Sequence, residues 1–153
     1  MAEDAYVVVY WDASAILSVL LKDNHTEEAR KWVKKRGLHL MSTLAYSETC
    51  SVIFRMQKEG VLDHALVNAV MKVLDEGPWS RVTAWPDWKI VRTLASKWSL
   101  RGADLWHLCT AKTLKEQLQE IILLAFDARL LSVARGEGLS WNPRERGQLT
   151  CHV

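Results

Sequence analysis

Val7-Val8-Val9-Tyr10-Trp11-Asp12-Ala13-Ser14 decides how the chain is read. Five apolar or aromatic residues without a polar interruption make a short strand buried on both faces, the kind found inside a parallel sheet. The strand stops at an acid, and the apolar run Ala15-Ile16-Leu17-Ser18-Val19-Leu20-Leu21 that follows reads as a packed helix, with Asp12 in the turn between them. The same design recurs near the other end, where Ile121-Ile122-Leu123-Leu124-Ala125-Phe126 is stopped by Asp127 before Ala128-Arg129-Leu130-Leu131-Ser132-Val133-Ala134. If the two strands run parallel in one sheet, both acids emerge on the same edge, because the carboxyl ends of parallel strands all point one way. The two ends of the chain then share one cleft.

The 153 residues, 49% of them hydrophobic, make one domain spanning 1–153 that can bury a core without staples. Cys50, Cys109 and Cys151 are odd in number and far apart, which points to reduced thiols and a cytoplasmic setting. The five histidines show no zinc-ligand spacing. No apolar run reaches the length of a membrane span, and Glu3 and Asp4 stand where a signal peptide would be basic. A net charge of +2 says little about partners, but its distribution says more. Arg30, Lys31, Lys34, Lys35 and Arg36 crowd one helix end, while Arg92, Lys97 and Arg101 flank a later one. Such a cluster reads either as a solvated helix C-terminus favoured by the macrodipole or as a track for phosphate.

Between the two acid-terminated strands, punctuation sets the elements. Asn24-His25-Thr26-Glu27 resembles a capping box opening a helix that stops at Gly37, and Leu38 to Met41 is a short strand. Ser42 or Thr43 caps a long helix ending at Gly60, and Asp63 caps the next. Trp79 to Trp85 reads as a strand, Pro86-Asp87 opens a helix through Leu94, and Gly102 precedes another from Ala103 to about Lys115. Leu139-Ser140-Trp141 reads as an edge strand. Strands separated by helices along the whole length predict an α/β domain of three layers, α/β/α, around a mainly parallel sheet.

The acids carry the chemistry. Asp12 and Asp127 each suit a helix N-cap, yet two caps on one sheet edge also place two carboxylates where ligands of open α/β sheets bind. Asp104 falls on the core side of its helical wheel, beside Leu105, Leu108 and Ala111, or else simply starts the helix after Arg101-Gly102. Glu48 lies between the polar arc of Ser47, Ser51 and Arg55 and the apolar arc of Ala45, Val52 and Met56, as a solvated residue or one reaching a cleft. Ser14 suits either a bond to a metal-bound water or packing in the first helical turn. His107, beside Trp106, reads as a packing residue. The helix from Leu62 to Leu74 and the tryptophans Trp79, Trp85, Trp88 and Trp98 offer more apolar surface than one small core absorbs, so an interface is expected.

Asp12-Ala13-Ser14-Ala15-Ile16-Leu17, Glu48, Arg101-Gly102-Ala103-Asp104-Leu105-Trp106-His107-Leu108-Cys109-Thr110-Ala111 and Phe126-Asp127-Ala128-Arg129-Leu130 together resemble the PIN domain, in particular the small single-domain toxins of the VapC type. The likeness runs from about Val7 to Pro143 and leaves a polar tail at 144–153. It implies a ribonuclease of a toxin–antitoxin pair in which Asp12, Glu48, Asp104 and Asp127 bind Mg²⁺ or Mn²⁺ and act catalytically. A homodimer and an antitoxin partner are implied too, and Lys34, Lys35, Arg36 and Arg101 are candidates to contact RNA. Ala125 departs from the family, which often has Thr or Ser two residues before the last acid, so the role of Asp127 is the least defined. Hard divalent ions want oxygen ligands, which agrees with four acids. The alternatives are an inert PIN-like module binding RNA or protein, and a haloacid-dehalogenase-type phosphatase, which needs a second Asp where Ser14 stands.

Overall fold

In the computed structural model, which describes residues 5–141, four strands form one parallel sheet, ordered β3-β2-β1-β4. They are β1 (Val7–Trp11), β2 (Gly37–Ser42), β3 (Trp79–Val82) and β4 (Ile121–Leu124). The central position of β1 accounts for its unbroken apolar run, since both faces and both edges are covered. Its side chains alternate between two cores, as the two-residue period of a strand requires. Val7, Val9 and Trp11 pack with residues of α1 (Ala13–Leu20), α2 (Thr26–Val33), α3 (Thr43–Lys58) and α4 (His64–Glu76). Val8 and Tyr10 pack on the other side with α5 (Trp88–Lys97), α6 (Gly102–Leu114) and α7 (Ala128–Gly136). The three layers predicted from the sequence are therefore present.

Strands end where caps begin. After β1 pairs with β4 through Trp11 and Leu124, Asp12 accepts the Ala15 N–H at 2.8 Å and turns the chain directly into α1. Ser42 does the same for α3, accepting the Ala45 N–H at 3.1 Å. Each cap contributes about 1 kcal/mol. These turns also shorten two expected strands. β4 stops at Leu124 and not Phe126 because its partner has already turned at Asp12, and β3 stops at Val82 and not Trp85 because Val82 pairs with Ser42, the last residue of β2.

Two further expectations are corrected. Leu139-Ser140-Trp141 is not a strand: its bond to the sheet edge is the Leu139 carbonyl accepting the Leu123 N–H at 2.8 Å. Nor does Asn24-His25-Thr26-Glu27 form a capping box, since the α2 N-cap, His25, makes no side-chain cap bond. Asp23 takes over, accepting the His25 N–H at 2.7 Å and the Ser18 hydroxyl at 2.7 Å, while its own N–H bonds Thr26 Oγ1. Gly37 is more than a helix stop. It opens β2 so close to Val7 that a Cβ would run into the Val7 carbonyl. The tail at 144–153 lies outside the described residues.

Candidate active site

All four acids reach the carboxyl edge of the sheet by different routes. Asp12 ends β1, Glu48 comes from the second turn of α3 just after β2, and Asp127 caps α7 just after β4. Asp104 stands in the first turn of α6. That helix leads back into β4 and so runs against the strands, which brings its N-terminus to the same edge. An acid in a first helical turn also sits favourably against the helix dipole.

Asp12 is only 5% exposed. Burial drives its carboxyl up to about 6, against hydrogen bonds from the Ala15 N–H and the Ser14 hydroxyl and the influence of His107, which pull it down; Asp104 pushes it further up. The carboxyl of Asp104, half-buried, is also raised, first by burial and then by the charge of Asp127, with Glu48 adding and His107 and Arg101 opposing. Asp104 thus interacts with each of the other three acids and is the electrostatic centre of the group. Asp127 is exposed, and its Oδ1 accepts the Leu130 N–H at 2.9 Å.

The charge of Arg101 offsets part of the repulsion at Asp104 without pairing to it. Among the described residues no Lys or Arg forms an ion pair with Asp12, Asp104 or Asp127. A carboxylate buried without a cation is costly and favours either protonation or capture of an ion.

His107 packs in the core, as the sequence suggests, but it also bonds to the acidic group. It is buried, its Nε2 lies 2.6 Å from Glu48 Oε1, and its Nδ1 lies 2.6 Å from the hydroxyl of Tyr10. That hydroxyl in turn donates to Ser42 Oγ at 3.0 Å. A clue was present in the spacing, because residues three apart share a helix face and His107 follows Asp104 by three.

Other expected site residues sort by position. The Ser14 hydroxyl is committed to Asp12, 2.9 Å from Oδ1 and 2.8 Å from Oδ2. Arg101 immediately precedes α6 and influences Asp104, so it belongs to the acidic edge. Lys34, Lys35 and Arg36 do not join it. They precede the first residue of β2, with the Arg36 carbonyl bonded to the Val7 N–H at 3.0 Å, so they sit at the amino edge. A strand of five residues separates the edges by roughly 16 Å. A cleft of about 510 Å³ lined by Lys89, Ile90, Lys112 and Lys115 is likewise away from the acids.

Among the described residues no three His, Cys, Asp or Glu side chains gather as a ready-made metal cluster. The donor set nevertheless fits a hard divalent ion. Mg²⁺ typically takes one or two carboxylates and keeps several waters, and Asp12 and Asp104 supply oxygen donors that no Lys or Arg among the described residues pairs with.

A parallel sheet in three layers, with buried and half-buried acids converging on its carboxyl edge, defines a class of domain. The chain belongs to the PIN-domain family, whose model matches residues 9–136 and so includes all four acids. No curated protein matches it in sequence. Among solved structures it is similar to VapC20 of Mycobacterium tuberculosis, a sarcin–ricin loop cleaving toxin, with 12% identity, a TM-score of 0.53, and coverage of 82% of this chain and 94% of the other. It is similar also to PAE2754 from Pyrobaculum aerophilum, with 18% identity, a TM-score of 0.56, and coverage of 88% and 91%. These identities speak for the fold.

Proposed function

We propose that the protein is a Mg²⁺- or Mn²⁺-dependent endoribonuclease, the toxin of a toxin–antitoxin pair. The observation that carries this reading is the buried Asp12 carboxyl, raised to about 6 and set beside Asp104, with no Lys or Arg among the described residues paired to either acid. Asp12 and Asp104 would hold the ion, with Glu48 and Asp127 completing the negative field around it. Bound there, a divalent ion supplies an acidified water and a counter-charge for the leaving oxygen of a phosphodiester. The chain's own residues orient it. Ser14 and the Ala15 N–H fix the Asp12 carboxylate, and Arg101 gives the same edge a positive group for substrate phosphate. PIN domains are generally nucleases, which supports hydrolysis of a nucleic acid.

RNA as the substrate, and a cognate antitoxin as the partner, follow the likeness to VapC20. A homodimer is supported by Leu66 and Val73, which lie about half-exposed along the outer face of α4. A cytoplasmic location fits the free thiols of Cys50 and Cys109, and no helix among the described residues is long and apolar enough to cross a membrane. The phosphatase alternative loses its second acid, since Ser14 stands there and serves Asp12. An inert binding module draws on the lack, among the described residues, of a ready-made cluster of three ligands.

Cleavage of labelled single-stranded RNA, with Mn²⁺ or Mg²⁺ against a chelated control, separates these readings. Metal-dependent cleavage that Asp12→Asn and Asp104→Asn each abolish is the expected result. Cleavage at the wild-type rate by both variants would remove the assignment.

A further inference from the structure

We propose that His107 is a positioning residue for Glu48, held in place by Tyr10 and Ser42, and that it sets which carboxylate oxygen of Glu48 faces the other acids. This inference rests on the metal-dependent reading above and adds to it a residue that is not itself an acid. Glu48 is a long side chain, 35% exposed, on a helix surface. Left alone it would sample many rotamers, most of them turned to water. Its Oε1 is instead engaged by His107 Nε2 at 2.6 Å. Among the described residues no hydrogen bond reaches Oε2. The grip therefore leaves one oxygen for the acidic edge.

A grip is useful only if its own base is fixed. The His107 ring is 2% exposed, tilted against Tyr10 with centroids 5.7 Å apart and edge-on to Trp106 at 5.6 Å. Nδ1 meets the Tyr10 hydroxyl at 2.6 Å, and Tyr10, fully buried in β1, donates to Ser42 Oγ at 3.0 Å. Ser42 closes the loop by capping α3, the helix that carries Glu48. Each member lies on or next to an element that carries or leads into an acid. Tyr10 lies two residues before Asp12, His107 three after Asp104, and Ser42 six before Glu48. The chain of hydrogen bonds thus locks three acid-bearing elements to one another. Exposed Asp127 stands outside it.

A purely structural histidine would hold the fold but leave the cation's affinity alone, so binding of Mn²⁺ by isothermal titration calorimetry is the deciding readout. Partners that orient a metal ligand change affinity by about 10- to 100-fold when removed. His107→Leu, which fills the space without a donor, is expected to weaken Mn²⁺ binding within that range. His107→Gln, whose amide can still donate to Glu48, is expected to recover most of it. Tyr10→Phe keeps the ring but frees His107 Nδ1, and an intermediate loss is expected. Should the Leu variant fail to fold, the Gln and Phe variants still decide, because Tyr10→Phe binding Mn²⁺ as wild type would overturn the proposal. So would wild-type affinity in folded His107→Leu. If the wild-type protein binds no Mn²⁺, the metal reading itself fails; if Asp12→Asn loses binding while His107→Leu keeps it, only the positioning role fails.

Discussion

Asp12 does two jobs with one carboxylate, capping α1 and facing the acidic edge, and its protonation couples them. Its pKa moves from 3.8 in the open chain to about 6 when buried, so between about pH 4 and pH 6 the folded state holds a proton that the unfolded state has lost. The stability due to this group is complete below about pH 4 and is lost as pH rises through about 6. At pH 7.5 the metal-free protein therefore carries a penalty on the order of 3 kcal/mol that Asp12→Asn, an equally good cap, removes. Urea unfolding in chelator at pH 4.5 and 7.5 measures it: the variant should gain on wild type at the higher pH. A gap independent of pH would show that the acid is not held as described. A cation should reverse the trend, and its binding near pH 5.5 should release protons to the buffer.

At the scale of elements, the approach of β2 to β1 matters as much as any side chain. Gly37 begins β2 opposite Val7, where a Cβ would meet the Val7 carbonyl and side chain. Gly37→Ala must push the strands apart at the start of the central pair, and a loss of about 1–3 kcal/mol is expected, as for other overpacked sites. A lowered urea midpoint with an unchanged slope would report it; an unchanged midpoint would mean that the strands part without cost. The loop after β3 behaves differently. It left the sheet when β2 ended, so Trp85 within it stands 71% exposed; Trp88 at the start of α5 is 87% exposed, and both contribute little to the core.

For the whole molecule, two measurements bear on the proposed function. Mn²⁺ at ~100 times its dissociation constant should stabilise the fold by about 2.7 kcal/mol. The melting temperature then rises by several degrees, and the rise should shrink in Asp104→Asn because that acid interacts with the other three. No rise in wild type would count against a resident cation. The exposed apolar residues Val61, Leu66 and Val73 around α4 should bring two chains together. Sedimentation equilibrium at micromolar concentration should then give twice the 17.5 kDa chain mass, and a clean monomer would refute the dimer.

What the sequence by itself determined is local. Unbroken apolar runs specify β1 and β4, because a strand covered on both faces favours apolar residues on each, and the acids that end them cap the next helix through bonds only three residues long. If the two strands are parallel, a shared edge for Asp12 and Asp127 follows; the parallel pairing of β1 with β4 is the tertiary structure's. Tertiary structure decided whatever depends on a distant neighbour. Strand ends were set by where a partner turned away, at Asp12 for β4 and at Ser42 for β3. The partners of His107 lie 97 and 59 residues away, beyond any periodicity. Lys34, Lys35 and Arg36 looked available to the site, but a charge on a helix end carries no sign of which edge of the sheet it will face. Only the direction of β2 placed them opposite the acids.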